Sequence, residues 1–116
     1  MVSLGLLLGL FEMSEIINVH IGKRLRQRRR ILGLTQTELA TNCGVRFQQI
    51  QKYECAVRQM SAAMLWRIAD ALGVNAQYFY EGLAGEIARA AQTYPEERVQ
   101  APANARIGAE PQALAG

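Results

Sequence analysis

Hydrophobic residues recur at helical spacing between residues 20 and 83. Ile21, Leu25 and Leu32 stand four and seven residues apart, which favours one apolar helix face over residues 21–32. No stretch of the chain shows the apolar–polar alternation that is typical of a strand. The pattern predicts an all-α fold of five short helices, over residues 21–32, 36–43, 47–54, 62–72 and 76–83.

Capping residues support these boundaries. Thr35 and Glu38 have the spacing of a capping box, in which each side chain accepts a hydrogen bond from the backbone N–H of the other residue. Ser61 and Asn75 can cap the fourth and fifth helices in a similar way. A glycine follows the first, second and fourth helices, at Gly33, Gly44 and Gly73.

The segments on either side of the helical region have a different composition. Residues 1–12 hold an apolar run that is too short to span a bilayer and lacks the basic start of a signal peptide, and Met13 offers an alternative start. We expect a flexible extension over residues 1–19, a short helix over residues 84–94, and a disordered tail over the Ala- and Pro-rich residues 95–116. A membrane anchor formed by residues 4–11 is the alternative for the first segment.

Charge is distributed unevenly along the chain. Residues 20–67 hold ten basic and two acidic side chains, a net charge of +8, whereas the rest of the chain carries −5. Such an asymmetry favours a polyanionic partner for one part of the molecule, although a solvated basic helix face would have the same composition.

Metal and catalytic chemistry have little support in the sequence. The single His20 lies far from Cys43 and Cys55, which lack metal-site spacing. No nucleophile–base pair or phosphate-binding glycine loop with its lysine is present. We therefore expect no metal, no cofactor and no enzymatic activity, and reduced thiols as in cytosolic proteins.

The second and third predicted helices, joined by a turn at Gly44, form a helix-turn-helix. The segment from Ile21 to Leu83 resembles the lambda-repressor-like, Cro/C1-type (XRE) family in two elements, Gly33-Leu34-Thr35-Gln36 with Leu39-Ala40, and Ala69-Asp70-Ala71-Leu72-Gly73-Val74. Residues 44–53 together with 78–83 resemble a branch of this family that is common in alphaproteobacteria. The resemblance implies the family's five-helix DNA-binding domain, here over residues 20–83.

The resemblance also implies roles for individual residues. The family places the second helix of the motif in the major groove, so the base-reading candidates are Arg46, Phe47, Gln48, Gln51 and Lys52. Phe47 could instead fold back on the core. The phosphate-contacting candidates are Lys23, Arg24, Gln36, Gln49 and Arg58. Arg29 and Glu54 occupy positions that commonly form a structural ion pair between the first and third helices.

Three residues depart from the family pattern. Arg46 stands where Ser or Thr usually caps the recognition helix, so we expect a poorly capped start. Ala56 replaces a frequent glycine and puts the geometry of that turn in doubt. Arg28 stands at an often apolar position, where it would either thin the core or add a surface charge.

These observations predict a bacterial, cytoplasmic regulator that binds double-stranded DNA and represses transcription by occupying an operator. The family implies a homodimer, which we expect to form through Tyr78–Leu83 and Ile87, and no membrane partner. The alternative is an antitoxin that binds a toxin protein and its own operator, with residues 95–116 folding on the toxin.

Overall fold

A computed structural model describes residues 4–93 of the chain. These residues form five α-helices and one 3₁₀ helix, joined by loops. The helices are α1 (Leu4–Ile31), α2 (Gln36–Cys43), α3 (Phe47–Glu54), α4 (Ala62–Ala71), the 3₁₀ helix (Ala76–Tyr80) and α5 (Leu83–Thr93), and no strand occurs among these residues. The all-α fold is confirmed. The tail expected over residues 95–116 lies outside the described residues.

The first helix is longer than the sequence pattern predicted. It begins at Leu4 and runs for 28 residues, so residues 4–19 are helical and the expectation of a flexible extension there is corrected. The segment has no proline, and its leucine-rich start has high helix propensity, which favours a helix that begins well before residue 21. None of the helices within residues 4–93 has both the length and the hydropathy needed to cross a membrane.

The predicted fifth helix is divided into two elements. Asn75 caps the 3₁₀ helix, its Oδ1 accepting a hydrogen bond from the Tyr78 N–H at 3.3 Å, as expected. The chain then turns at Gly82, whose φ of +82° lies in the left-handed region that favours glycine. The predicted helix over 76–83 therefore stops at Tyr80, and α5 takes the place of the short helix expected over 84–94.

The core lies where α1, α2, α3, α4 and the 3₁₀ helix meet. Its largest fully buried side chains are Phe79, Leu25, Leu39, Ile50, Ile68 and Leu72. α1 packs against α3, the 3₁₀ helix and α5, and α2 packs against α3 and α4. The core therefore holds the helix-turn-helix on the side of α1 that carries the buried residues of α1.

Arg28, one of the departures from the family pattern, ties α1 to the end of α4. Its Nε donates a hydrogen bond to the carbonyl oxygen of Leu72 at 2.9 Å. Leu72 is the C-cap of α4, where a helix leaves carbonyl groups without partners and where positive charge is favoured. Arg28 therefore satisfies a backbone acceptor instead of thinning the core.

The 3₁₀ helix is held on α1 by two side chains of α1. The Arg24 guanidinium lies 3.8 Å from the centre of the Tyr78 ring, and its Nε donates to the Tyr78 carbonyl oxygen at 2.9 Å. Its Nη2 lies 2.7 Å from a carboxylate oxygen of Glu81. One turn earlier, Nε2 of the buried His20 lies 2.6 Å from the Glu81 carbonyl oxygen. These contacts fix the connection that leads into α5.

Candidate nucleic-acid interface

The helix-turn-helix is built by local signals at the ends of α2. The Glu38 N–H donates to Thr35 Oγ1 at 3.0 Å and the Thr35 N–H donates to Glu38 Oε1 at 2.8 Å, which confirms the capping box. The hydrogen bonds from Thr35 lower the pKa of Glu38, so this cap is complete above that pKa and weakens as the pH falls through it. At the other end, Gly44 adopts a φ of +71° and turns the chain toward α3.

α3 has one buried face and one exposed face. Ile50 and Tyr53 are buried against the core. The five base-reading candidates Arg46, Phe47, Gln48, Gln51 and Lys52 are all exposed. Phe47 is 43% exposed, so the alternative that it folds back on the core is not what the structure shows. Arg46 makes no side-chain hydrogen bond as N-cap, as expected from its residue type.

The exposed face of α3 is positively charged because its one acid is neutralised. Between residues 44 and 60 the chain has three basic residues and one acid, Glu54. The Glu54 side chain is only 3% exposed and lies against Arg29, whereas the basic residues Arg46, Lys52 and Arg58 are exposed. A phosphate backbone approaching α3 therefore meets cations without an exposed carboxylate on the same element.

The predicted ion pair between Arg29 and Glu54 is confirmed, and it is bidentate. Arg29 Nε and Nη2 donate to the two Glu54 carboxylate oxygens at 2.6 and 3.0 Å, and Nη1 donates to the Leu34 carbonyl oxygen at 2.8 Å. Chiefly through its hydrogen bond to Glu54, this arrangement raises the pKa of Arg29. The pair joins α1 to α3 and to the loop before α2, and removing one member would leave a buried charge without a partner.

Two glutamines predicted to contact phosphate make intramolecular hydrogen bonds. Gln36 Nε2 donates to Glu54 Oε1 at 3.1 Å, which adds the first residue of α2 to the ion pair. Gln49 Nε2 donates to the Tyr53 hydroxyl oxygen at 2.6 Å, one turn along α3. Both side chains are half-buried, so each of these amides helps to position α3.

The other phosphate candidates lie in two different places. Arg58 is exposed in the loop that follows α3. Its backbone N–H donates a hydrogen bond to the Lys52 carbonyl oxygen at 3.3 Å. Arg24 makes hydrogen bonds to Tyr78 and Glu81 within the domain, and its contact with phosphate stays a prediction. Lys23 is exposed near Glu86 of α5, whose pKa is lowered chiefly by its hydrogen bond to Arg89 and further by the charge of Lys23.

Gly22 has a role that was not predicted from the sequence. It is buried where α1 crosses the end of α3, and a Cβ at this position would lie 2.7 Å from the carbonyl oxygens of Tyr53 and Glu54. Only glycine permits this approach of the two backbones. Gly22 is the second residue of the helix predicted over 21–32, so it looked like part of a helix start, and it is an interior residue only because α1 begins at Leu4.

The chain is similar to named regulators over its central part. Residues 25–79 match the family described as helix-turn-helix. An HTH-type transcriptional regulator of Sinorhizobium fredii is 36% identical over 84 residues, which cover 72% of this chain and 59% of that protein. A transcriptional regulator in the ATPase CF(0) region of Rhodospirillum rubrum is 49% identical over 67 residues, which cover 58% and 62%. The chain thus spans about three fifths of the length of these two relatives.

Solved structures agree with the sequence matches. The restriction-modification controller protein C.AhdI from Aeromonas hydrophila is 30% identical, with a TM-score of 0.52 over 53% of this chain and 92% of that one. The clp gene regulator ClgR from Corynebacterium glutamicum is 26% identical, with a TM-score of 0.60 over 72% and 88%. With the α2–α3 geometry, these matches show that the chain belongs to the lambda-repressor-like, Cro/C1-type helix-turn-helix family.

Proposed function

We propose that the chain is a transcriptional regulator that places α3 in the major groove of double-stranded DNA. The observation that carries this proposal is the exposed face of α3, where five side chains suited to base edges project and the one acid is withdrawn into an ion pair. The relatives named as HTH-type transcriptional regulators support the same function.

The residue types on this face suit a mixed base sequence. Gln48 and Gln51 can each make a bidentate pair with adenine, and Arg46 and Lys52 can each pair with guanine. Phe47 offers an apolar ring to a thymine methyl group. Because the first turn of a recognition helix lies deepest in the groove, Phe47 and Gln48 contribute most to base preference.

Backbone contacts come from the elements next to α3. Arg58 lies in the following loop, and Gln36 stands at the start of α2, where backbone N–H groups favour a phosphate. Gln36 can keep its hydrogen bond to Glu54 and still offer its second amide N–H to a phosphate oxygen. We further propose that two copies bind a palindromic operator as a two-fold dimer and block transcription by occupying it.

Selection of bound sites from a pool of random duplex DNA, at two salt concentrations, tests this function. We expect a palindromic consensus, with an affinity that falls as salt rises because bound phosphates release counterions. Binding without a consensus would contradict sequence-specific recognition by α3. No binding at either salt concentration would contradict the DNA-binding function itself.

The antitoxin hypothesis has no observation in its favour. The relatives are named as transcriptional regulators, and the segment that was expected to fold on a toxin, residues 95–116, lies outside the described residues. We therefore propose only the transcriptional regulator and not the antitoxin.

A further inference from the structure

An exposed stripe on α1 carries acids before an apolar residue and bases after it. We call this set of five exposed residues the α1 stripe: Glu12, Glu15, Val19, Lys23 and Arg26. The acids precede Val19 by seven and four residues, and the bases follow it by four and seven. At about 3.6 residues per turn, all five positions lie on one side of the helix.

The α1 stripe borders an open groove and has a partly apolar centre. Val19 is 40% exposed, and with Glu15 and Lys23 it lines a groove of about 340 Å³ between α1 and α5. Glu86 and Arg89 of α5 form an ion pair with each other at 2.9 Å on the opposite wall. Among residues 4–93, none of the charged members of the stripe takes part in an ion pair within 4.0 Å.

We propose that the α1 stripe binds the same stripe of a second copy, with the two α1 helices antiparallel and crossing at Val19. A two-fold axis at Val19 brings together residues that are equally distant from it on either side. Glu15 then faces the partner's Lys23, and Glu12 faces the partner's Arg26, and each pair occurs twice. A parallel arrangement would instead place acid against acid and base against base.

The surface is complementary to itself, and for this reason the proposed occupant is a second copy of the chain. The proposal rests on the two-fold dimer of the proposed function and names its contact surface. That surface differs from the one expected from the sequence, Tyr78–Leu83 and Ile87. Because the four ion pairs would be solvent-exposed, each contributes little, and the dimer should weaken as salt screens them.

Cross-linking at the symmetry axis tests the position of the interface. In a Cys55→Ser background, Val19→Cys places the same thiol of both copies at the crossing point, where a short bis-maleimide should join most chains into dimers. The buried Cys43 should stay unmodified. Arg30→Cys is the matched control, since this exposed α1 residue would lie roughly 33 Å from its symmetry mate at about 1.5 Å per residue. Equal cross-linking at both positions, or none at Val19→Cys, would overturn the proposal.

Charge reversal with rescue tests the pairing. By sedimentation velocity without DNA, Glu15→Lys and Lys23→Glu should each weaken dimerisation about tenfold, and the double variant should restore it, because each reversal affects two exposed pairs. Asp70→Lys, at an exposed position on α4, is the control and should change nothing. Single reversals without effect, or a double variant no better than the single ones, would contradict the pairing.

The outcomes separate this proposal from the proposed function. A protein that dimerises through the α1 stripe but binds no DNA would support the interface and remove the regulator function. A chain that remains monomeric at all concentrations, yet selects a single half-site, would support DNA binding by α3 and overturn the interface.

Discussion

At the scale of single residues, the position of α3 depends on a glycine and on a buried ion pair. Gly22 lets the backbone of α1 approach the carbonyl groups at the end of α3. Arg29, which also lies on α1, holds Glu54 of α3 through the ion pair. The ion pair was predicted from the positions of the two residues in a known family. The role of Gly22 was not, because a close approach between helices depends on tertiary packing that a single sequence does not contain.

The substitution Gly22→Ala tests this close approach. The new Cβ would lie 2.7 Å from two backbone oxygens, which cannot move aside as the end of a flexible side chain can, so α1 and α3 must separate. We expect the free energy of unfolding in urea to fall by about 1–3 kcal/mol, as for other overpacked sites, although alanine is the better helix former.

Gly85→Ala is the matched control for this measurement. Gly85 lies within α5, and a Cβ there would meet only the end of the Arg89 side chain at 3.8 Å. This change should raise the free energy of unfolding by about 0.5–1 kcal/mol. If both variants gain stability, Gly22 is not needed for the contact between α1 and α3.

At the scale of elements, helix ends with local caps were predictable and ends without them were not. The bounds of α2 follow from Thr35 and Gly44, and the start of α4 follows from Ser61, because each of these caps acts within a few residues. The start of α1 has no such signal, and the division at Gly82 depends on how the 3₁₀ helix packs on α1. The base-reading candidates came from the resemblance to a known family and their role stays a prediction, whereas the contacts of Arg24 involve residues more than fifty positions away.

The end of α3 offers a test of backbone strain. Ala56 adopts a φ of +62° in the turn after α3, in the left-handed region that disfavours a residue with a Cβ. Ala56→Gly should raise the free energy of unfolding by about 0.5–1 kcal/mol, measured by urea denaturation. Ala88→Gly, within α5, is the control and should lower it by a similar amount. A loss of stability in Ala56→Gly would show that the turn is not strained.

At the scale of the whole molecule, the two charged surfaces differ in how their charges are arranged. The face of α3 carries exposed cations beside an acid that Arg29 neutralises, which suits a polyanion. The α1 stripe carries acids and bases in a mirrored order, which suits a second copy of the chain. The total charge of +3 shows neither arrangement, because charges of both signs cancel in the sum.

The most direct test of the central claim, that α3 reads bases, is the effect of Gln48→Ala on DNA selectivity. On the site obtained by selection, we expect a loss of about 1–3 kcal/mol in binding and a relaxed preference at one base pair in each half-site. Gln77→Ala, an exposed glutamine on the 3₁₀ helix, is the matched control and should bind like the unaltered protein. If Gln48→Ala keeps the affinity and the base preference of the unaltered protein, that face of α3 does not read the operator.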